Sequence, residues 1–355
     1  MRAIYKILIV VFVLGIVLFS VSLAMGTRYE DFEEMLIDSE SYTKTEIEYQ
    51  IDDSNYNMEL SLLFDVEFRF ADTDKVLIEY YQHARDEVYE SFNNGKINFE
   101  ISRKWYNMIY LLPPIHPYRD VVITLPSSKQ IETLTVYSAG SIKGCDISVT
   151  GNVNIKSSYG EMRLTNIEAD DCVFENSSGS AVLDSITANK NITMRNSSGS
   201  TRMSNLNASS ISISCSSGKV EVIDSKATNF SSNLSSGSFE IRSSEFINAN
   251  MKSNSGRVNI SNSIILNISE LKASSGSVTI TNTLIEKINL EVSSGSVTIN
   301  LNYSISAYHI SAKASSGGIY INGNRIDRSY DNGINNGNYY FNVKASSGKV
   351  TINWA

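Results

Sequence analysis

The sequence predicts an all-β protein, most of it a parallel β-helix (β-solenoid) of about eleven coils of 19–20 residues. The first sign is a repeated phrase: SSGSVTI occurs twice between residues 273 and 299, with its glycines, Gly276 and Gly295, nineteen residues apart. The second is its spread along the chain, from SAGS at 138 to SSGKVTI at 346. The corner glycines fall at 140, 160, 179, 199, 218, 237, 256, 276, 295, 317 and 348. Their spacing is 19 or 20 until the last two intervals, 22 and 31. Repetition at a constant interval marks stacked structural units.

The third sign is the alternation after each glycine. Two residues on stand Met162, Val220, Phe239, Val258, Val278 and Val297, and four on stand Leu164, Leu183, Val222, Ile241, Ile260 and Ile280. Polar residues such as Arg202, Glu221, Asn259 and Thr279 stand between them. This is the period of a strand with one buried face. A second strand is marked five and seven residues before the glycine, as in Ile192/Met194 and Ile211/Ile213. A third, shorter apolar pair appears in Ile147/Val149, Ile167/Ala169 and Ile186/Ala188. Nineteen residues cannot hold a strand, a crossover helix and a second strand, which need ~30. Each copy is therefore one winding, paired in parallel with the windings above and below. Eleven windings at ~4.8 Å give a stack on the order of 50 Å. The glycine is expected to turn a tight corner at positive φ, with the preceding serines bonded to local backbone.

Composition agrees, with only four prolines, nineteen tyrosines and many Ser, Asn, Thr, Ile and Val. The net charge of −8 is unevenly spread. Residues 27–130 carry 21 acidic and 10 basic side chains, whereas residues 131–355 carry 17 and 18. No basic stripe tracks a phosphate backbone, so nucleic acid is not an expected partner.

Three segments follow: a transmembrane anchor at 1–26, an acidic β-rich module at 27–125 and the repeat solenoid at 126–355. Residues 7–25 form nineteen positions without a charge, about 28 Å as a helix, which matches a bilayer core. Arg2 and Lys6 precede this run, while Glu30, Asp31, Glu33 and Glu34 follow it. The amino terminus is therefore expected in the cytoplasm and the bulk of the chain outside the cell membrane. A cleaved signal peptide ending at Ser22-Leu23-Ala24 is the alternative. In the module, DTDK at 72–75 and NNGK at 93–96 mark turns between strand-like runs, and the whole is expected to cap the first regular coil. RKWYNMIYLLPP at 103–114 reads as a hydrophobic cap. Trp354 reads as a cap on the final coil, the alternative being an edge that accepts another chain.

No residue is assigned a catalytic, cofactor-binding or metal-binding role. His83, His116 and His309 are scattered rather than at ligand spacing. Cys145, Cys172 and Cys215 fall at different places in the repeat, so no stacked pair arises, and each reads as a small buried hydrophobe. Asp170-Asp171 is the sharpest carboxylate pair, but neighbours on a strand point to opposite faces, so a corner is expected rather than a dyad.

With these residues in view, the chain resembles the bacterial DUF4097 group of candidate adhesins. The resemblance rests on the apolar amino terminus, SRKWYNMIY at 102–110, YRDVVITLPSSKQIETLTVYSAGSI at 118–142 and the Ser-Ser-Gly-x-apolar-x-apolar array. It implies a β-helical, envelope-associated protein and supplies no catalytic residues. Ser or Lys follows the corner glycine here, where the family often has Asp. The function expected is that of a non-catalytic surface-interaction protein bound to the membrane, with an envelope polymer or surface protein as partner. A role beside an envelope-stress signalling protein and a β-helical carbohydrate-active enzyme are the alternatives.

Overall fold

The computed structural model describes residues 42–83, 86–103, 120–334 and 339–354. The apolar run 7–25, His116 and nearly all of the RKWYNMIYLLPP segment lie outside them. Among the described residues there is no α-helix, only one 3-10 turn at Ile305–Ala307, and no helix long and apolar enough to cross a membrane.

From Met162 onward each winding is nearly continuous strand: Met162–Ser178, Ala181–Ser204, Asn207–Ile223, Lys226–Arg242, Glu245–Ser261 and Ile264–Thr281. Successive windings pair in parallel and in register, so Gly199 stands on Gly218 and Val220 on Phe239. The apolar columns read from the sequence point inward. In one winding Ala181, Leu183, Ile186, Ala188, Ile192 and Met194 are all buried. The winding has three runs of inward residues separated by three corners.

The first corner is Ser-Ser-Gly. Nine of the glycines, Gly160 to Gly295 and Gly348, have φ between 99° and 138°, where L side chains are strained; Gly140 and Gly317 do not share this conformation. Space excludes a side chain as firmly as φ does. A Cβ at Gly237 would overlap the Gly218 carbonyl oxygen. The second corner lies six residues after the glycine, at Asp146, Asn166, Ser185, Asn205, Asp224, Ser243, Asn262 and Asn282, all with φ of 47–58°. Asn and Asp enter this left-handed region at low cost. The third corner is a register shift, as between Ala169 and Asp171 and between Ala188 and Asn191.

After the second corner, polar residues enter the core as a ladder. Ser225, Ser244 and Ser263 are buried. Each hydroxyl donates to the carbonyl two residues back, at 2.8 Å. Each also accepts an N–H from the preceding rung: Leu206 on Ser225 at 3.1 Å, Ser225 on Ser244 and Ser244 on Ser263 at 3.2 Å. Such bonds contribute about 1 kcal/mol apiece, and an unpaired buried partner costs more. Core volume is traded between rungs. Phe230 stacks on Phe246 with ring centroids 4.4 Å apart, and the residues in register with them are Ala249 and Ala227. Large beside small keeps the interior close-packed.

The stacking order departs from chain order at both ends. Strand Asn55–Leu62 lies between Gln130–Ser138 and Lys96–Arg103, and Asp65–Ala71 lies between Ile142–Ser148 and Asp120–Pro126. Strands Lys96–Arg103 and Asp120–Pro126 are thus the outermost parallel strands at this end, and strands Asn55–Leu62 and Asp65–Ala71 fill the rung beneath them. At the other end Lys287–Leu301 pairs with Tyr339–Ser347 and Lys349–Trp354. Those strands in turn pair with Tyr308–Ala314 and Gly318–Ile321. The Gly348 winding is therefore inserted between the Gly295 and Gly317 windings. This corrects the expectation for Trp354: its strand is an inner rung paired through Leu301, and the Gly317 winding is terminal. Antiparallel strands lie on both outermost rungs, with Leu77 and Ile78 facing Thr124 and Ile123 at one end. At the other, Asn324–Ile326 and Ser329–Asp331 lie against Gly318–Ile321 and Tyr308–Ala314.

Residues 42–45, 80–83, 86–87 and 103 belong to a second compact unit. In it the Tyr42 and His83 rings lie 4.8 Å apart, and the His83 N–H donates to Asp86 Oδ2 at 2.9 Å.

Replacing Gly237 by Ala meets both a backbone oxygen and a φ of +115°, whereas a Cβ at Gly323, φ +80°, meets nothing within 4 Å. Backbone strain alone costs about 1–3 kcal/mol. The denaturation midpoint is therefore expected to fall further for G237A than for G323A; equal losses would contradict the packed carbonyl column.

Candidate interaction surface

The outward residues of successive windings form columns, and most charges in them are paired between rungs. Glu221, with a side chain only 11% exposed, receives Lys219, Arg202 at 3.1 Å and Arg242 at 3.7 Å. Glu240 lies 3.2 Å from Arg242 and 3.7 Å from Lys219. On another face Glu175 pairs with Arg195 at 2.6 Å and Lys156 at 3.4 Å, and Glu270 with Lys272 at 2.6 Å and Lys252 at 3.1 Å. Most of these groups are well exposed, and exposed pairs contribute little each. Glu221 differs in being nearly enclosed by the network.

Amides form a second kind of column. Asn248 donates to Asn229 and Asn267 to Asn248, both at 3.2 Å, and Asn282 donates to Asn262 at 2.7 Å. Asn342 donates to Asn289 at 3.2 Å and Asn353 to Asn300 at 2.9 Å, joining the inserted rung to the Gly295 winding. The Ser-Ser corners add exposed hydroxyls at Ser216-Ser217, Ser235-Ser236, Ser274-Ser275 and Ser293-Ser294. The result is a lattice of hydrogen-bonding groups repeated at the strand spacing of ~4.8 Å.

Asp170 and Asp171 stand at the third corner, as expected. Asp170 accepts from Asn189 at 2.8 Å and Lys190 at 2.9 Å, which hold its carboxyl below the ordinary range. Asp171 accepts from Asn191 at 2.6 Å. Each carboxylate is bonded to the neighbouring rung, and the structure does not bring the two together on a common target. No group of three His, Cys, Asp or Glu among the described residues could hold a metal ion. His309 Nδ1 is 2.7 Å from the Ile334 carbonyl, remote in the chain from His83.

Cys172 and Cys215 are buried, as expected; burial pushes the Cys172 thiol up to about 12 and raises that of Cys215. In register they face Ile192 and Asn196, not each other. Cys145 departs from the expectation and is exposed. The Glu221 network and the polar second corner were not singled out in the sequence. Both carried a signal: acidic and basic residues at one repeat position, and Asn, Asp or Ser six residues after each glycine from Gly140 to Gly276.

Fold and surface together define a parallel β-solenoid repeat protein with ladder-bearing outward faces. The family model described as Toastrack DUF4097 matches residues 56–222 and again 187–353, and the chain belongs to that family. No curated protein matches it. Among solved structures, it is similar to a candidate adhesin of Parabacteroides distasonis at 13% identity and a TM-score of 0.40, covering 73% of this chain and 96% of that one. A candidate lipid-binding protein of the same species aligns at 14% identity and a TM-score of 0.37, covering 88% and 97%. A candidate adhesin of Bacteroides fragilis aligns at 11% and 0.33, covering 71% and 97%.

Glu221 is held below the ordinary glutamate range, first by the hydrogen bond from Lys219 and then by the charges of Lys219, Arg202 and Arg242. A depressed carboxylate stabilises the fold above its unfolded-state pKa, and this contribution is lost as pH falls through the folded-state value. Unfolding free energy measured across the acid range is expected to fall less steeply in Glu221→Gln than in the parent; identical slopes would contradict a role for the network.

Proposed function

We propose that the chain is a non-catalytic surface-interaction protein of the adhesion type, held in the cell membrane by residues 7–25, with its amino terminus in the cytoplasm and its solenoid outside. The observation that carries this reading is the repeated outward lattice of hydroxyls, amides and paired charges. A surface of this kind suits many weak contacts with a repeating partner, for which multivalency supplies avidity. Among the described residues the sharpest carboxylate pair, Asp170 and Asp171, is bonded to the neighbouring rung rather than converging as in a glycan-cleaving enzyme. The apolar amino-terminal run, with basic residues before it and acidic residues after it, supports the orientation. An envelope polymer or a surface protein is the corresponding partner.

Cys145 gives a direct test, since it is exposed while Cys172 and Cys215 are buried. In intact protoplasts expressing the full chain, a membrane-impermeant maleimide is expected to label Cys145 without permeabilisation, and to leave a Cys145→Ser variant unlabelled. Labelling that requires permeabilisation would overturn the orientation. Protoplast binding to isolated envelope polymer or to other cells, no greater than that of protoplasts lacking the protein, would overturn the adhesion reading.

A further inference from the structure

The cations of the stack divide sharply along the chain. Of the eleven lysines and arginines from Lys156 to Lys272, ten lie within 4.0 Å of a carboxylate, Arg257 being the exception. Past Lys272 none does: Lys287, Lys313, Arg325, Arg328, Lys344 and Lys349 have no carboxylate partner.

Five of these six gather at the Gly317 end. Lys313 and Lys344 are in register on adjacent rungs, both exposed. Like charges directly opposite one another on neighbouring strands repel and weaken the pairing. Lys349 Nζ lies 4.2 Å over the Tyr320 ring, and Tyr320 is in register with Arg325 across the antiparallel pair. Arg325 and Arg328 line an open groove of about 720 Å³ together with Ser316, Gly317, Ile326 and Asp327. The Arg328 carbonyl accepts from Ala314 N–H at 2.8 Å, which ties the groove to the strand that carries Lys313. The nearby acids are Asp327, Asp331 and Glu291, the last in register with Lys344 on the adjacent rung, three against five.

Between Lys156 and Lys272 the stack sets a carboxylate within 4.0 Å of every cation but Arg257, and even the in-register pair Lys252 and Lys272 shares Glu270. At the Gly317 end Lys313 and Lys344 share none, and two guanidinium groups lie on one groove. Guanidinium forks match phosphate and carboxylate oxygens. Cations spread over two rungs and a groove, with no enclosed pocket, suit several linked anions better than a single ion. We infer that the Gly317 end binds a polyanion, whose phosphate or carboxylate groups recur along an envelope polymer. This deepens the surface-protein reading by naming a ligand class. Its test is made in solution, so its failure is separate from any failure of the membrane orientation.

The purified full chain in detergent is titrated against labelled poly(glycerol phosphate) and labelled polygalacturonate, followed by fluorescence anisotropy at low and high salt. At least one polymer is expected to bind, more weakly as salt rises because exposed charges are screened. The polymer that binds more tightly identifies phosphate or carboxylate as the recognised group. Affinity is expected to drop at least about tenfold, roughly 1.4 kcal/mol, in Arg325→Ala/Arg328→Ala and in Lys313→Gln/Lys344→Gln. Lys156→Ala, a charge loss in the paired region, is expected to bind like the parent. Four results would overturn the inference: neither polymer binds; neither double variant weakens binding; Lys156→Ala weakens it as much; or sedimentation shows the arginines holding a second copy of the chain instead.

Discussion

The whole stack depends on the close approach of backbone to backbone at the Ser-Ser-Gly corner. There the carbonyl of one glycine occupies the place a side chain would need in the next, from Gly160 to Gly295 and through Gly348 to Gly317. Only glycine meets that condition, and because it is imposed by the neighbouring rung it propagates along the stack. Once the corner is fixed, every inward position lies above its equivalent, and the ladder hydrogen bonds follow. The buried serines beyond the second corner lock the same register from inside, since each hydroxyl joins two rungs.

A stack of this kind has two open edges, which are templates for unwanted pairing. Chain order is abandoned at the places where the edges must be closed. Toward the amino-terminal end residues 55–71, and toward the other residues 339–354, fill the rung beneath the outermost winding. Antiparallel strands then lie on those outermost windings. The Asn289–Asn342 and Asn300–Asn353 amide bonds show that an inserted rung is joined like any other. Charge pairing of the cations stops past Lys272, so the rungs toward the Gly317 end carry a different surface from those behind them.

Much of this was legible in the sequence, because a one-dimensional stack writes its contacts as a period. The glycine spacing, the inward columns and the corner at Asp170-Asp171 all follow from it. The polar corner at Asp146, Asn166 and Ser185 was harder to see, since three residue types share one backbone conformation there. Rung order at the ends was not legible at all. The Gly317 and Gly348 copies present the same pattern to a neighbour, and periodicity states what stacks without stating which copy stacks on which. The exposure of Cys145 was missed because cysteine is usually buried, whereas this one lies just before a left-handed corner, at Asp146. The surface was legible only as composition; the division between paired and unpaired cations needed the register.

The most direct measurement of the rung order is disulfide formation between exposed corner serines, made in a Cys145→Ser chain. Ser294 is in register with Ser347, and adjacent parallel strands lie ~4.8 Å apart, within the Cα separation a disulfide spans. Winding in chain order would instead set Ser294 beside Ser316. The inserted order requires that Ser294→Cys/Ser347→Cys crosslinks on mild oxidation while Ser294→Cys/Ser316→Cys remains reduced. The reverse pattern would contradict the account of how this stack is closed.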